Sequence, residues 1–222
     1  MSAERWATFD CYGTLVDWDS GVRAGLRALF GDEESFHRYH ELEREIQAER
    51  PGESYREVMA STLDRLAAES GTSLAPGQRD ALGEALPGWP VHPEVPASLA
   101  ELRADGWKLA ILSNTDRDFI DASMLAIGVP FELAIVASEV GSYKPAHGHW
   151  NAFYEQTGAD PDGHVHVAAS LFHDVGACNE LGIPCVWINR VGETQGSERP
   201  AAELPDLSGL REAVGRLPGT RT

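Results

Sequence analysis

The sequence has few cysteines, few basic residues and no long hydrophobic run, and each shortage narrows the range of functions. Its 222 residues contain 18 Lys and Arg against 35 Asp and Glu, which gives a formal net charge of −17. Nucleic-acid binding usually requires a basic face, so we expect no nucleic-acid partner. An acidic surface also repels anions at long range, so a site for an anionic ligand would need its own local positive potential.

The three cysteines, Cys11, Cys178 and Cys185, lack the spacing of metal ligands. An odd number of cysteines without that spacing indicates reduced thiols, as in cytosolic proteins. The apolar runs are far shorter than a membrane span, and the N-terminus is polar within its first five residues, so the sequence predicts neither a membrane segment nor a secretory signal. We therefore expect a cytoplasmic protein with no membrane partner.

The C-terminal part of the chain alternates short apolar segments with helical ones. Together with a first strand at Arg5–Phe9, strands are predicted at residues 107–114, 131–138, 164–170 and 185–189. Short apolar strands separated by helices predict a parallel sheet with right-handed crossovers. The tail after the last of these strands is predicted to be a loop that leads to one final helix.

Residues 20–86 differ, because four helical stretches follow one another with no strand between them. The proline-rich segment PGWPVHPEVPASL (87–99) is predicted to be the linker back to the sheet. The simplest architecture is an α/β protein with a Rossmann-like parallel sheet core and an inserted helical cap domain. We assign residues 1–16 and 91–222 to the core and residues 17–90 to the cap.

Polar side chains follow four of the predicted strands. In open parallel sheets, the carboxyl ends of the strands line the functional crevice. A lone Ser-Asn pair after a strand is more often a helix cap, and a lone Lys-Pro pair is usually on the surface. Their joint occurrence predicts one cleft, and the residues that would meet there are Asp10, Ser113, Asn114, Lys144, Ser170 and Asp174.

Four segments resemble the four motifs of the haloacid dehalogenase superfamily: FDCYGTLVDW, ILSNTD, SYKP and SLFHDVGACNELGIPCVWINR. The resemblance covers nearly the whole chain, and the helical insert matches the cap domain that these proteins carry after the first strand. Within the superfamily, DCYGTL and CVWINR are most similar to the type II L-2-haloacid dehalogenases. The resemblance implies a metal-independent (S)-2-haloacid dehalogenase-like hydrolase that needs no cofactor and acts on a small anionic organic substrate.

Two acids of the superfamily's phosphatases are missing. Those enzymes have an acid/base aspartate two residues after the nucleophile, where this chain has Tyr12, and a magnesium-binding acid where it has Ala169. A metal shields the charge when a carboxylate attacks a phosphate, so these losses disfavour phosphate chemistry. Displacement of halide at carbon requires no proton on the leaving group, and therefore no acid at position 12.

The resemblance implies three catalytic roles. Asp10 would attack the carbon that bears the halogen and form an aspartyl ester. Asp174 would orient or deprotonate the water that hydrolyses the ester. Lys144 would offset the repulsion between Asp10 and an anionic substrate and would hold Asp10 ionised.

The same resemblance implies a set of substrate contacts. Thr14 and Ser113 would hold the substrate carboxylate together with turn amides, and Asn114 would help to cradle the halide. An arginine on an early cap helix covers the leaving group in the dehalogenases, and aligning HRYHELE with that helix places Arg38 there. Further substrate-binding positions are expected at Tyr12 and Ser170.

The match is incomplete, and other functions stay open. Ala169 and Leu171 replace a serine and an asparagine of the dehalogenase pattern, Trp150 replaces an aromatic hydroxyl, and His173 replaces a bulky aromatic. His173 or Ser170 would have to compensate for the lost asparagine. The alternatives are a magnesium-dependent phosphatase, a hydrolase that opens a ring of another small acid at a C–N bond, and a non-catalytic binding protein. Relatives often pair, so a homodimer is a further expectation.

Overall fold

The computed structural model describes residues 4–31 and 34–217. Within these ranges, six strands form one parallel sheet in the order β3-β2-β1-β4-β5-β6. The strands are β1 (Arg5–Phe9), β2 (Trp107–Ser113), β3 (Leu133–Val136), β4 (His164–Ala168), β5 (Cys185–Ile188) and β6 (Ala202–Leu204). Because β1 lies between β2 and β4, the residues that follow these three strands meet at one edge of the sheet.

Helices flank the sheet, and four of them come between β1 and the rest of the core. The α-helices are α1 (Trp18–Phe30), α2 (Phe36–Glu49), α3 (Tyr55–Ser70), α4 (Ala81–Ala85), α5 (Val95–Ala104), α6 (Arg117–Ile127), α7 (Ala137–Val140), α8 (Gly148–Thr157), α9 (Gly176–Leu181) and α10 (Leu210–Arg216). The fold is therefore a Rossmann-like parallel core with an inserted helical cap, as the sequence predicted; its residue bounds stay a prediction. Among the described helices, none has both the length and the apolar character needed to cross a membrane.

Burial explains why the core segments form strands. The central strand β1 and its neighbour β2 are nearly continuous runs of buried residues, as expected for a parallel sheet covered on both faces. Their side chains alternate between two apolar clusters, one on each side of the sheet. The sheet is thus held from both sides, and its carboxyl edge is left to carry the polar groups.

Two elements differ from the sequence prediction. Helix α5 begins at Val95, inside the segment predicted to be a linker, because Pro96 lies in the first turn, where a missing N–H breaks no helical hydrogen bond. The tail predicted to be a loop contains β6, which pairs with β5 through Trp187 and Glu203. A three-residue edge strand is too short to show an alternating pattern.

A close contact fixes α1 against the segment that returns to the core. Gly21 in α1 is buried, and a Cβ atom there would lie 2.3 Å from ring atoms of Trp89. The return segment is also tied by backbone hydrogen bonds from the N–H of Asp17 to Pro90 and from the N–H of His92 to Leu15. The helix that covers the carboxyl end of β1 therefore has little freedom to shift.

We expect Gly21→Ala to lower the free energy of unfolding by about 1–3 kcal/mol, because the Trp89 ring must move to admit the methyl group. The matched control is Gly215→Ala in α10, where an added Cβ would meet nothing within 4 Å. That change should be neutral or stabilising by up to about 1 kcal/mol. Urea unfolding curves measure both variants, and equal effects would contradict the tight contact.

Candidate active site

A pocket of about 560 Å³ lies at the carboxyl ends of β1, β2 and β4, where helices α1, α2 and α3 cover it. Its floor is formed by the core residues Asp10, Ser113, Lys144 and Asp174. The cap side is formed by Trp18, Arg23, Phe36, His37, His40, Glu43, Gln47 and Tyr55. The cleft predicted from the strand ends is therefore present, and the cap encloses it.

Lys144 lies at the centre of the floor and is only 1% exposed. Its Nζ atom is 2.9 Å from Asp10 Oδ1, 2.6 Å from Asp174 Oδ1 and 2.8 Å from the carbonyl oxygen of Leu112. An ammonium group has three donors, and all three are used. Burial acts to lower the pKa of Lys144, but the two carboxylates outweigh it and hold the pKa above its usual value.

Asp10 follows β1 directly and is held through both of its carboxylate oxygens. Lys144 binds Oδ1, and the Thr14 hydroxyl donates to Oδ2 at 2.8 Å. Thr14 is itself fixed, because its oxygen accepts the N–H of Ala169 at 2.9 Å. Burial raises the pKa of Asp10, although Lys144 opposes that shift.

Asp174 lies in a single π-helical turn, Leu171–Val175, that follows β4. Its Oδ1 accepts hydrogen bonds from Lys144 and, at 2.9 Å, from His166 Nε2. Its Oδ2 is buried without a hydrogen-bond partner among the described residues. Burial acts to raise the pKa of Asp174, but Lys144 and His166 outweigh it and hold the pKa below its usual range. Asp174 is therefore an ionised carboxylate with one oxygen left to react.

Asn114 and Thr14 occupy the predicted region but contact protein groups. Asn114 Oδ1 accepts the backbone N–H of Lys144 at 2.6 Å, and its Nδ2 donates to the carbonyl of Lys144 at 3.0 Å. Both polar atoms of the amide thus fix the lysine backbone, and because Asn114 also lines the pocket, its part in a halide cradle stays a prediction. Thr14 lies behind Asp10 and does not line the pocket. Its predicted contact with a substrate carboxylate is therefore wrong.

The predicted position of Arg38 over the leaving group is also wrong. Its guanidinium binds Glu41, Glu45 and Glu69 at 2.8–3.1 Å on the exposed face of the cap. Two residues correspond to about 200° around a helix, and it is His40, two residues further along α2, that lines the pocket. Arg38 therefore lies on the face of α2 that points away from the pocket.

The remaining predicted contacts lie in the pocket. The Tyr12 hydroxyl is 3.0 Å from Ser123 Oγ. Ser113 is buried, and its carbonyl accepts a hydrogen bond from His149 Nε2. Ser170 Oγ accepts the backbone N–H of His173 at 3.0 Å.

His173 lines the pocket beside Asp174, and its Nε2 has no hydrogen-bond partner within the described ranges. Its Nδ1 is 3.1 Å from Ser170 Oγ. Burial lowers the pKa of His173 to about 3 and that of His40 to about 4. Both imidazoles are therefore neutral at pH 7, and neither supplies positive charge to the pocket.

A buried carboxyl group on the cap side of the pocket was missed by the sequence reasoning. Trp18 Nε1 donates to the Tyr55 hydroxyl at 2.9 Å, and that hydroxyl donates to Glu43 Oε1 at 2.9 Å. Burial raises the pKa of Glu43 to about 7, although the bond from Tyr55 opposes the shift. The spacing of apolar residues in α2 could have revealed this burial, because it places Glu43 on the same buried face as Leu42 and Ile46.

Cap and core are joined by a core carboxylate at the start of a cap helix. Asp116, which precedes α6, accepts the backbone N–H groups of Tyr55 and Arg56, each at 2.9 Å. These are donors of the first turn of α3, which have no partner within their own helix. A core side chain thus caps the helix that carries Tyr55.

Comparison with known proteins decides the family. The chain matches the model of the haloacid dehalogenase-like hydrolases over residues 5–182. It belongs to this family. One relative, (S)-2-haloacid dehalogenase H-109 of Pseudomonas putida, is 28% identical over 213 residues, which cover 92% of this chain and 95% of that protein.

Solved structures share the fold of this haloacid dehalogenase-like hydrolase. The L-2-haloacid dehalogenase RSc1362 superposes with a TM-score of 0.82 at 23% identity, covering 95% of this chain and 98% of that one. An L-2-haloacid dehalogenase from Xanthobacter autotrophicus, with chloropropionic acid covalently bound, gives a TM-score of 0.81 at 21% identity, covering 96% and 99%. At these identities, the likeness establishes the shared architecture.

The residues of this hydrolase do not fit the magnesium ion that its phosphatase relatives use. Mg²⁺ requires near-octahedral oxygen ligands, usually carboxylates. The two oxygens of Asp10 are bound by Lys144 and Thr14, and the phosphatase acids are replaced by Tyr12 and Ala169. The ammonium group of Lys144 pairs with the carboxylates of Asp10 and Asp174 at this site.

Glu43 should make the stability of the hydrolase depend on pH. Its folded pKa of about 7 lies above its usual value of 4.5, so the folded state binds the proton more tightly. The resulting stabilisation is complete below the unfolded pKa and is lost as the pH rises through the folded pKa. We expect a loss of about 3 kcal/mol over this window, absent in Glu43→Gln.

Urea unfolding at about pH 5 and about pH 8 would measure that difference. The matched control is Glu155→Gln, at an exposed glutamate of α8, which should keep the pH dependence of the wild type. If Glu43→Gln also kept it, Glu43 would not be the group responsible.

Proposed function

We propose that this chain is a metal-independent dehalogenase of small 2-haloacids, in which Asp10 displaces the halide through an aspartyl ester. One observation carries the proposal: the Asp10 carboxylate is held at both oxygens in a covered pocket, while no acid stands at position 12. Such a site has a nucleophile but lacks the acid/base carboxyl group two residues after it that would protonate a leaving group. Halide is a leaving group that needs no proton. The name of the relative from Pseudomonas putida supports the same chemistry.

In the first step, the Asp10 carboxylate attacks the carbon that carries the halogen. A new C–O bond forms, the carbon–halogen bond breaks, and the halide leaves with its electron pair. The hydrogen bonds from Lys144 and Thr14 orient the carboxylate and prevent its rotation. The cap covers the pocket and leaves Asp10 only 7% exposed, which limits the number of water molecules that solvate the nucleophile.

In the second step, water attacks the carboxyl carbon of Asp10 in the ester. Asp174 Oδ2, the oxygen without a partner among the described residues, takes a proton from that water. The ester C–O bond breaks, and the hydroxyl of the product takes up the proton from Asp174. The Asp10 carboxyl then releases its own proton to solvent, and the carboxylate is restored.

An anionic substrate needs a cation that is not already neutralised. Lys144 lies between two carboxylates, and Arg190 pairs with Glu94 at 2.6 Å. Arg23 of α1 lines the pocket and lies over the Phe36 ring at 3.7 Å; its charge acts on Asp19, but no carboxylate of the described residues lies within ion-pair distance of it. We infer that Arg23 takes the substrate-binding role that the alignment gave to Arg38.

Glu43 favours a second candidate, the hydrolysis of another small acid at a C–N bond. An amine leaving group requires a proton, and Glu43 offers a carboxyl group that holds one near neutral pH. Because Oε1 accepts from Tyr55, that proton would be on Oε2. Halide chemistry makes no use of such an acid, so the dependence of activity on Glu43 separates the two candidates.

The proposed activity is tested by chloride release from L-2-chloropropionate and chloroacetate in the presence of EDTA. We expect release that survives chelation and is abolished in Asp10→Asn, because an amide is not a nucleophile at this carbon. No release, with magnesium-dependent hydrolysis of a phosphate ester, would show a phosphatase instead. No activity in either assay would also refute the dehalogenase, and it would favour hydrolysis at a C–N bond or a non-catalytic binding role.

We expect Arg23→Ala to raise KM for 2-chloropropionate on the order of 10-fold, with a smaller change in kcat, since a charge-assisted contact to the bound carboxylate is lost. Arg38→Ala is the matched control, because that side chain is paired on the outer face of α2. Steady-state kinetics of halide release measure both. A KM that responds to Arg38 and not to Arg23 would refute the assignment.

A further inference from the structure

Strand β4 carries two buried histidines behind the catalytic floor. His164 and His166 are two residues apart, so their side chains lie on the same face of the sheet. Thr8 of the neighbouring strand β1 lies between them, with Oγ1 at 2.7 Å from His164 Nε2 and at 2.7 Å from His166 Nδ1. The three side chains are 0–1% exposed. Buried polar groups of this kind need partners; each histidine ring has two, and the Thr8 hydroxyl is also 3.5 Å from the carbonyl oxygen of Val165.

The contacts continue at both ends. His166 Nε2 is 2.9 Å from Asp174 Oδ1, and His164 Nδ1 is 2.7 Å from the hydroxyl of Tyr154 in α8. The side chains of Asp174, His166, Thr8, His164 and Tyr154 thus form one continuous series of hydrogen bonds, here called the β4 series. It runs from the pocket to a tyrosine that is only half-buried.

The ionised carboxylate fixes the direction of the bond from His166, and with a neutral His166 the directions of the other bonds in the β4 series follow. Asp174 can only accept, so Nε2 of His166 must carry the proton. In a neutral His166, Nδ1 then accepts from the Thr8 hydroxyl, whose oxygen accepts from His164 Nε2. Burial lowers the pKa of His164 to about 3, so this ring is also neutral, and its Nδ1 accepts from Tyr154. The proton positions follow from the network.

All four donors therefore point toward Asp174. Consecutive hydrogen bonds that point the same way polarise one another. The three bonds between Tyr154 and His166 therefore strengthen the last bond, from His166 to the carboxylate of Asp174. Donation to the charged form favours that form. Because Oδ1 receives both His166 and Lys144, Oδ2 is the oxygen left without a partner among the described residues.

We propose that His166, supported by Thr8, His164 and Tyr154, is a positioning residue that keeps Asp174 ionised and its Oδ2 available to the hydrolytic water. The inference rests on the proposed function, because Asp174 acts in the second step. The β4 series should therefore affect hydrolysis of the aspartyl ester and leave its formation by Asp10 unchanged. A merely structural polar cluster would affect both steps or neither.

The test compares Thr8→Val, which removes the hydroxyl and keeps the branched shape, with Thr8→Ser, which keeps the hydroxyl. Rapid-quench reactions with L-2-chloropropionate, read by intact-protein mass, follow the ester on Asp10. We expect Thr8→Val to release the first equivalent of chloride at the wild-type rate and then to accumulate ester, with hydrolysis slower on the order of 10-fold. Thr8→Ser should retain most of the wild-type rate.

The pH profile gives a second readout. The loss of donors should move the acidic limb of ester hydrolysis to higher pH in Thr8→Val, because the protonated form of Asp174 is then less disfavoured. The other titratable groups that act on Asp174 or are affected by its charge are Asp10, Lys144, His149, His173 and Cys185. None of these groups is substituted in Thr8→Val, so a shift of the acidic limb of the pH profile would come from the loss of the β4 series.

If Thr8→Val folds poorly, Tyr154→Phe removes the last donor at the half-buried end, and a smaller accumulation of ester is expected. Wild-type hydrolysis with an unshifted pH profile in the folded variant would overturn the proposal. So would ¹⁵N NMR of the wild type showing a doubly protonated His166 or Nδ1–H tautomers at neutral pH. The NMR result needs no substrate, so it stands even if no haloacid forms an ester and the proposed function fails.

Discussion

One buried ammonium group determines the arrangement of the site. Lys144 is the only cation within hydrogen-bond reach of Asp10 and Asp174 among the described residues. Removing one partner of a buried ion pair is strongly destabilising, because the other charge is left uncompensated. Asp10 and Asp174 follow β1 and β4, and the third acceptor, Leu112, lies in β2. The sheet order that places β1 between β2 and β4 is therefore a condition for this lysine to be buried at all.

Most polar atoms around that ammonium serve to position other groups. Asn114 fixes the backbone of Lys144, Thr14 fixes Asp10, and His166 fixes Asp174. Positioning by packed and hydrogen-bonded neighbours is what holds a reacting group close to its productive geometry. Three residues that line the pocket have a buried polar atom without a partner within the described ranges: Asp174 Oδ2, His173 Nε2 and His92 Nε2.

The pattern of the sequence was sufficient to predict that the proposed catalytic residues lie together. Asp10, Lys144 and Asp174 were predicted at one edge because the carboxyl ends of parallel strands converge, and the structure places them within hydrogen-bond distance. The cap was less predictable. Helix α2 carries many charged residues, so charge does not indicate which of its faces covers the pocket. Arg38 and His40 are only two residues apart, yet they lie on opposite faces of the helix. A short motif match does not resolve such a difference.

Other differences have equally local causes. The motifs identified Thr14 and Asn114 as polar residues of the site, but their partners are a buried carboxylate and a backbone, which a motif does not specify. The β4 series was missed because its members look like ordinary strand residues until the pairing of β1 with β4 places Thr8 beside His166. The hydrogen-bond partners of polar side chains in strands are thus set by the register of strand pairing, which the spacing of residues along the chain does not reveal.

The contact of Asp116 with α3 has a consequence for how the enclosure of the pocket could be observed. Two peptide protons of the cap, those of Tyr55 and Arg56, are shielded by a carboxylate of the core. They can exchange with solvent deuterium only when the two parts separate or α3 frays at its first turn. Comparing their hydrogen-exchange rates with those of the amides in the second turn of the same helix therefore measures how often the cap separates from the core.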